Sequence, residues 1–364
     1  DWATVKGYYR LIDKPDESAV TPENILRPHR ERTVRRMKAQ KTVLCIQDTT
    51  TLDYTGLAQC TGLGPTGTNQ TGASSRGLDL HSTFAVSPEG IPLGVLHAQC
   101  FAPEPRQHDR PNTQVPIEEK KTFRWIVGLR DCCEIAREIP HTRLVCVMDR
   151  EADFFELFDE HRRDPAVDLL VRAKHDRLTS ENRKLFETVA STPIVDRIAI
   201  PVPRQSARPK KSKQKARPRR ATRIADVAVR YTRVEIQRPA YLEQREPIAI
   251  SILHVVEDQP PDGVEPLQWY LLTTREIDSL EQAQTYLRWY CLRWRIEDWH
   301  RTLKTGCRVE SLQHETAERL KRAIAIKLVI AWRIMLMTLL GRETPDLPAD
   351  LLFTDLELEV LRAH

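Results

Sequence analysis

Two aspartates stand at the ends of apolar runs in this sequence. TVLCIQD, residues 42 to 48, closes on Asp48, and LVCVMDREAD, residues 144 to 153, passes through Asp149 into two further acids. A core strand gains nothing from clustered carboxylates, because each loses hydration on burial and repels its neighbours. A divalent cation reverses that cost. Carboxylates that converge without histidine or cysteine suit hard, oxygen-preferring ions such as Mg²⁺ or Mn²⁺. Two such ions about 4 Å apart can activate an attacking oxygen and stabilise the leaving one in an in-line phosphoryl displacement.

A third acid comes from YLRWYCLRWRIEDWHRTLKTG, residues 286 to 306, which predicts one helix ending at Gly306. At 100° per residue, Tyr290, Arg293, Glu297 and Lys304 fall in a stripe about 60° wide and about 21 Å long. Leu292, Ile296, Trp299 and Leu303 form a second, apolar face that anchors the helix. On such a stripe Arg293 can clamp a phosphate with paired donors, Lys304 adds a point charge and Tyr290 one hydrogen bond. The competing reading is an ordinary amphipathic helix with Arg293 and Glu297 as an ion pair worth roughly a few tenths of a kcal/mol. Asp298 points about 100° off the stripe, whereas Asp53, five positions after Asp48 in a loop, is not separated from it by periodicity. Arg150, beside Asp149, would screen the acids or reach a polyanion. Glu151 and Asp153 read as capping groups of the helix that follows or as supports around the acids, rather than as ligands.

The elements that must position these acids are legible in outline. Thr21 followed by Pro22 predicts a helix start, and residues 1 to 40 read as helical. Residues 56 to 77, rich in Gly, Thr and Ser, read as a long loop. Residues 78 to 99 read as two strands joined by the turn Ser87-Pro88-Glu89-Gly90. A helix within 115 to 138, the strand 144 to 149, a helix near 151 to 160 and the strand 167 to 173 follow. That succession predicts an α/β fold: a ribonuclease-H-like mixed five-stranded sheet flanked by helices. In open sheets of this kind, sites gather at the carboxyl ends of strands. Asp48 and Asp149 both sit at such ends. Between 176 and 278 strand-like runs such as PIAISILHVVE predict a β-rich insertion before the last catalytic helix.

Composition sets the outer limits. With 364 residues, 40% hydrophobic and 29% charged, the chain reads as soluble and of more than one structural unit. It opens at Asp1 without an initiator methionine or leader pattern, which reads as a trimmed piece rather than a secreted protein. The apolar run 323 to 340 is interrupted by Lys327 and Arg333 and reads as a packing helix, not a membrane span. Eight cysteines without metal-type spacing suit buried thiols in a reducing cytoplasm and make zinc improbable. The net charge of +5 is concentrated: residues 204 to 223 hold ten Lys or Arg and no acid, leaving the remainder net acidic. Lys210 and Lys211 lie in this run, which is either a solvated loop or a polyanion contact.

VMDREAD at 147 to 153 and Y-x-x-R-x-x-x-E-x-x-x-x-x-x-K at 290 to 304 resemble the signatures of bacterial DDE transposases of the insertion-sequence-four family, particularly the transposon-five type. IQDTT at 46 to 50, LLVRAKH at 169 to 175 and PLQWYLLTT at 266 to 274 are similar to that type as well. The matches run in consistent order from about residue 40 to 340. The resemblance implies an acidic triad of Asp48, Asp149 and Glu297 holding two Mg²⁺ ions, for which Mn²⁺ would substitute. It implies that Tyr290, Arg293 and Lys304 hold DNA near the scissile phosphate, and that Trp269 stacks a base extruded from the transposon end. Arg172, Lys174 and His175 match a stretch that contacts the DNA backbone.

The implied partners are double-stranded transposon-end DNA, target DNA and a second copy in a homodimeric synaptic complex, in the bacterial cytoplasm at the nucleoid. The implied organisation is a helical lead-in over 1 to 40 and the first part of the core over 41 to 175. The insertion spans 176 to 278, the catalytic helix and the rest of the core 279 to 341, and a C-terminal region starts at 342 to 364. The family carries a DNA-binding region ahead of a segment like residues 1 to 40. The residues leave two other readings open: a ribonuclease-H-like nuclease for RNA hybrids or branched DNA, and a transposase-derived DNA-binding protein without catalysis.

Overall fold

The Thr21 hydroxyl accepts the Asn24 backbone N–H at 3.2 Å, with Pro22 at the first helical position, so the helix start legible in the sequence is the one that forms. The computed structural model describes residues 2–68, 74–104, 111–202, 207, 219, 221–242 and 244–363. In chain order, α1 (Trp2–Ile12) and α2 (Pro22–Met37) lead into β1 (Thr42–Asp53), β2 (Gly64–Thr68), β3 (Ser74–Val86) and β4 (Pro92–Phe101). Then come α3 (Phe123–Glu138), β5 (Arg143–Met148), α4 (Phe155–Arg163), β6 (Asp168–Arg172), α5 (Leu185–Ala190) and β7 (Asp196–Val202). β8 (Arg223–Ile236), β9 (Ile248–Val256) and β10 (Gln268–Thr273) precede α6 (Leu280–Cys291), α7 (Trp294–Arg301), α8 (Ala317–Glu343) and α9 (Asp355–Ala363). These elements fall into two units: residues 1–67, 75–106 and 294–364 in the first, 68–74 and 107–293 in the second. Both mix helices with sheet.

In the first unit β1 and β4 pair antiparallel with β3 on either side. The β1 run of Val43, Leu44, Cys45 and Ile46 is fully buried, as a strand covered on both faces requires. β1 does not stop at Asp48 but continues to Asp53, and β2 and the start of β3 lie in the stretch expected as loop. The cause is cross-strand pairing: Thr49, Thr50, Thr51, Leu52 and Asp53 oppose His81, Leu80, Asp79, Leu78 and Gly77. At the last of these pairs a Cβ on Gly77 would lie 2.0 Å from the Leu52 carbonyl oxygen, so only glycine permits the approach. The turn at 87–90 closes with Gly90 N–H on the Ser87 carbonyl at 2.9 Å and Gly90 at φ 95°.

α8 is long and apolar enough to cross a membrane by length and composition. In this unit it packs against α1, α2, β4 and α7. Its Arg322, only 3% exposed, donates to the carbonyls of Ile12, Pro15 and Val20 and to Asp16. A guanidinium saturated by protein acceptors belongs to a protein interior, which agrees with the packing helix read from the sequence.

In the second unit β5 and β6 run parallel, and β10 pairs antiparallel with β6, Leu271 opposite Arg172. β9, β8 and β7 continue antiparallel outward. The strands expected as an insertion thus share one mixed sheet with β5 and β6. Pairing through β10 satisfies the backbone of the β6 edge, which would otherwise need another cover.

The helix expected from 286 to 306 is interrupted. Leu292 N–H is shared between the Arg288 and Trp289 carbonyls, and Arg293 N–H reaches Tyr290, a tightened turn between α6 and α7. Residues Thr302–Gly306 then widen into a π-turn, with Cys307 N–H on the Thr302 carbonyl. Tyr290 and Arg293 therefore belong to the second unit, and Glu297 and Lys304 to the first. The single straight stripe is replaced by two shorter segments.

Candidate functional site

The first unit holds two of the three expected acids. Asp48 lies mid-strand in β1, directly opposite Ser82 of β3, and its Oδ1 accepts the Thr49 N–H at 2.8 Å. Opposed residues in an antiparallel pair project to the same face. Two residues earlier on that face Ile46 opposes Phe84, and the Phe84 ring is stacked on Trp299 of α7 with centroids 4.8 Å apart and planes 14° from parallel. Ile296, Trp299 and Leu303 are fully buried, which seats α7 on this face of the sheet and carries Glu297 with it. Glu297 itself is half-buried.

Lys304, expected at DNA, is turned onto the same strand. Its ammonium donates to the Thr51 carbonyl and lies 3.6 Å from Glu310 Oε1, which also accepts the Asp53 N–H at 2.9 Å. The alternative acids are engaged elsewhere. Asp53 is exposed and its Oδ1 accepts the N–H and hydroxyl of Thr55 at 2.9 and 2.6 Å, while Asp298 pairs with Arg301 at 2.8 Å.

The second unit holds Asp149 and most of the expected polar set. Asp149 follows β5, and its Oδ1 accepts the Glu151 N–H at 2.8 Å, so it caps the short turn Arg150–Ala152. Tyr290, on α6, is only 4% exposed. Its hydroxyl is hydrogen-bonded to Arg293 and Arg172, and burial above all raises its pKa, with Asp149 close enough to add to the effect. Burial likewise lowers the pKa of Arg172, with Arg150 and Arg293 contributing repulsion. The edge of Trp269 meets the Tyr290 ring, centroids 5.9 Å apart at 64°. Asp149, Arg150, Arg172, Trp269, Tyr290 and Arg293 are thereby gathered in one unit, although they come from four different segments. Tyr290 lies beside both guanidiniums.

Asp153 does not cap the helix that follows, whose N-cap is Phe154. It is buried, and its carboxylate accepts the backbone N–H groups of Lys174 and His175, the latter at 2.8 Å, and pairs with the Arg177 guanidinium. Arg177 also donates to the Asp153 carbonyl at 2.8 Å. This one carboxylate shapes the segment that presents the exposed Lys174 and His175 side chains. The DREAD spacing was visible in the sequence, but the partner segment 24 residues onward carried no local signal for it. Lys210 and Lys211 lie outside the described residues. A cavity of about 670 Å³ in the same unit, lined by Arg143, Arg275 and Tyr286 among others, contains none of the expected site residues.

Among the described residues no three His, Cys, Asp or Glu side chains are grouped closely enough to hold a metal ion. The three expected ligands nevertheless fit a hard cation by type. All are carboxylates, and backbone N–H groups orient two of them, Asp48 and Asp149. The eight cysteines are free thiols.

Comparison with known protein families gives a match over residues 128–333 to the family described as the transposase DDE domain. That span covers more than half of the chain and includes Asp149, Arg172, Trp269, Tyr290, Arg293, Glu297 and Lys304, while Asp48 precedes it. The chain belongs to the transposase DDE domain family.

Proposed function

We propose that this transposase is the catalytic core of a cut-and-paste element. It would hydrolyse DNA at the transposon ends and join the freed 3′ hydroxyl to target DNA, acting as a homodimer in the bacterial cytoplasm at the nucleoid. The observation that carries the reading is the company Asp149 keeps: a strand-end carboxylate within electrostatic reach of Tyr290, which holds Arg172 and Arg293 side by side. Paired guanidiniums suit a phosphodiester, because they bind its oxygens bidentately, and a carboxylate beside them would repel that phosphate unless a divalent cation lay between the two anions.

Asp48, Asp149 and Glu297 are the residues that would hold Mg²⁺ or Mn²⁺. When bound, two such ions would lower the cost of deprotonating the attacking water and of charge on the leaving oxygen. The chain's own groups do the rest. Arg293 and Arg172 orient the phosphate, Tyr290 fixes both guanidiniums, and Lys174 and His175 follow the DNA backbone from the segment that Asp153 shapes. Trp269 offers its indole to an unpaired base, a contact that tolerates any base because each has a π-face.

Strand transfer tests this reading against simple nuclease activity. Labelled end duplexes with a free 3′ hydroxyl, incubated with the chain, Mg²⁺ and a supercoiled plasmid, should become joined to the plasmid. Nicking without joining would leave a nuclease and reject transposition by this core.

A further inference from the structure

Ser82 is a residue that stability alone does not explain. It lies in β3 with no exposed surface, and its hydroxyl has no hydrogen-bond partner. In the buried part of the strand its neighbours on the same face, Leu78, Leu80, Phe84 and Val86, are all apolar and fully buried, and that face turns polar and exposed only at Arg76 and Ser74. Leaving a buried hydroxyl unpaired costs stability, so alanine would serve packing better at this point. The one polar position of that buried stretch is also the one directly opposite Asp48.

Opposed side chains in an antiparallel pair have Cβ atoms about 5 Å apart. One rotation about a side-chain bond therefore brings the Ser82 Oγ to hydrogen-bonding distance of an Asp48 oxygen. Asp48 already has Oδ1 tied to the Thr49 N–H, which fixes one edge of the carboxylate. We propose that Ser82 is a positioning residue for Asp48: its hydroxyl donates to the carboxylate when Asp48 turns to hold a divalent cation, and so sets the direction of the remaining lone pairs. The inference rests on the reading of Asp48 as a metal ligand. Its neighbour Thr83 supplies an internal control, because Thr83 is equally buried and its hydroxyl is also without a partner, but it points to the opposite face, with Gln47.

The test compares Ser82→Ala, Ser82→Thr and Thr83→Val in the full chain. Calorimetric titration with MnCl₂ alone and thermal melting in EDTA are read beside end-duplex cleavage. Ser82→Ala is expected to melt at or above the wild-type temperature in EDTA, to bind Mn²⁺ several-fold more weakly and to cleave about tenfold more slowly. Ser82→Thr should recover Mn²⁺ affinity, and Thr83→Val should leave it unchanged. Wild-type Mn²⁺ affinity in Ser82→Ala would overturn the proposal, as would a loss of affinity no greater than that in Thr83→Val. Asp48→Ala separates the two levels: if it keeps full cleavage, the assignment of Asp48 fails, whereas if it is inactive and Ser82→Ala is unaltered, only the role of Ser82 fails.

Discussion

Trp299 lies flat on Phe84, 4.8 Å between ring centroids, and this contact joins the helix of Glu297 to the strand beside Asp48. The stack is locked on its far side, where the Trp299 Nε1–H donates to the Leu328 carbonyl of α8 at 3.3 Å. An indole held from both sides fixes the rotation of α7, and with it the direction of Glu297.

Removing the platform should separate packing from placement. Phe84→Ala is expected to lose about 3 kcal/mol or more of stability through the cavity it leaves, read as a shifted urea midpoint. Cleavage measured well below the new midpoint should still fall, because Glu297 is no longer aimed. Full activity in the folded variant would show that the stack packs the unit without positioning the acid.

Asp153 is the second lever. It is buried with Arg177, so Asp153→Ala leaves a guanidinium without its partner, at a cost of about 3–5 kcal/mol. The Lys174 and His175 amides, which donate to this carboxylate, should lose their protection from hydrogen exchange selectively. Retained protection at those two amides would contradict the anchoring role.

Tyr290→Phe removes the acceptor shared by Arg172 and Arg293. Hydrogen bonds to charged donors of this kind contribute about 1.5–3 kcal/mol, so a modest fall in melting temperature is expected. Binding of end duplexes, followed by gel shift, should weaken about tenfold as both guanidiniums lose their orientation. Lowered stability with unchanged DNA affinity would reduce Tyr290 to a packing residue.

The first unit should lose stability in acid through His29. Its Nε2 accepts the Val95 N–H at 3.0 Å, which requires the neutral ring, and burial first, then Arg36 and Arg32, press its pKa down to about 4. The unfolded chain takes up this proton near the ordinary value of 6.5, so stability is intact above that value and falls as pH drops from 6.5 toward 4. The loss from this one group reaches about 3 kcal/mol at pH 4. His29→Gln should flatten the dependence of the unfolding free energy on pH by about one proton in that window. An unaltered slope would place the titration elsewhere, His254 and His300 being shifted the same way, to about 4 and about 3.

Much of this could be read from the residues, and the misses share a cause. The apolar runs before Asp48 and Asp149 do form buried strands, because such a run is a local pattern, and the Thr21 start and the turn at Gly90 are local chemistry as well. The extension of β1 to Asp53 was hidden because it depends on β3, some thirty residues away, supplying partners to a threonine-rich stretch. The break at Leu292–Arg293 was hidden for a different reason: rotation at 100° per residue assumes an unbroken helix, and a tightened turn followed by a π-turn leaves the apolar spacing almost unchanged. Tyr290 and Arg293 therefore looked like neighbours of Glu297 on one stripe, whereas they join Arg172 of β6 in the second unit. The particular partners of Asp153, Arg177 and the 174–175 backbone, are not legible in the sequence, because no spacing rule connects them to it.

The central claim is that Asp149 acts with Asp48 and Glu297 in metal-dependent cleavage of DNA ends, and end-labelled duplex cleavage in Mg²⁺ by the Asp149→Ala chain tests it most directly. The account expects cleavage to fall by a factor on the order of 10³, with end-duplex binding retained through Arg172 and Arg293. Wild-type, Mg²⁺-dependent cleavage by that variant would contradict it.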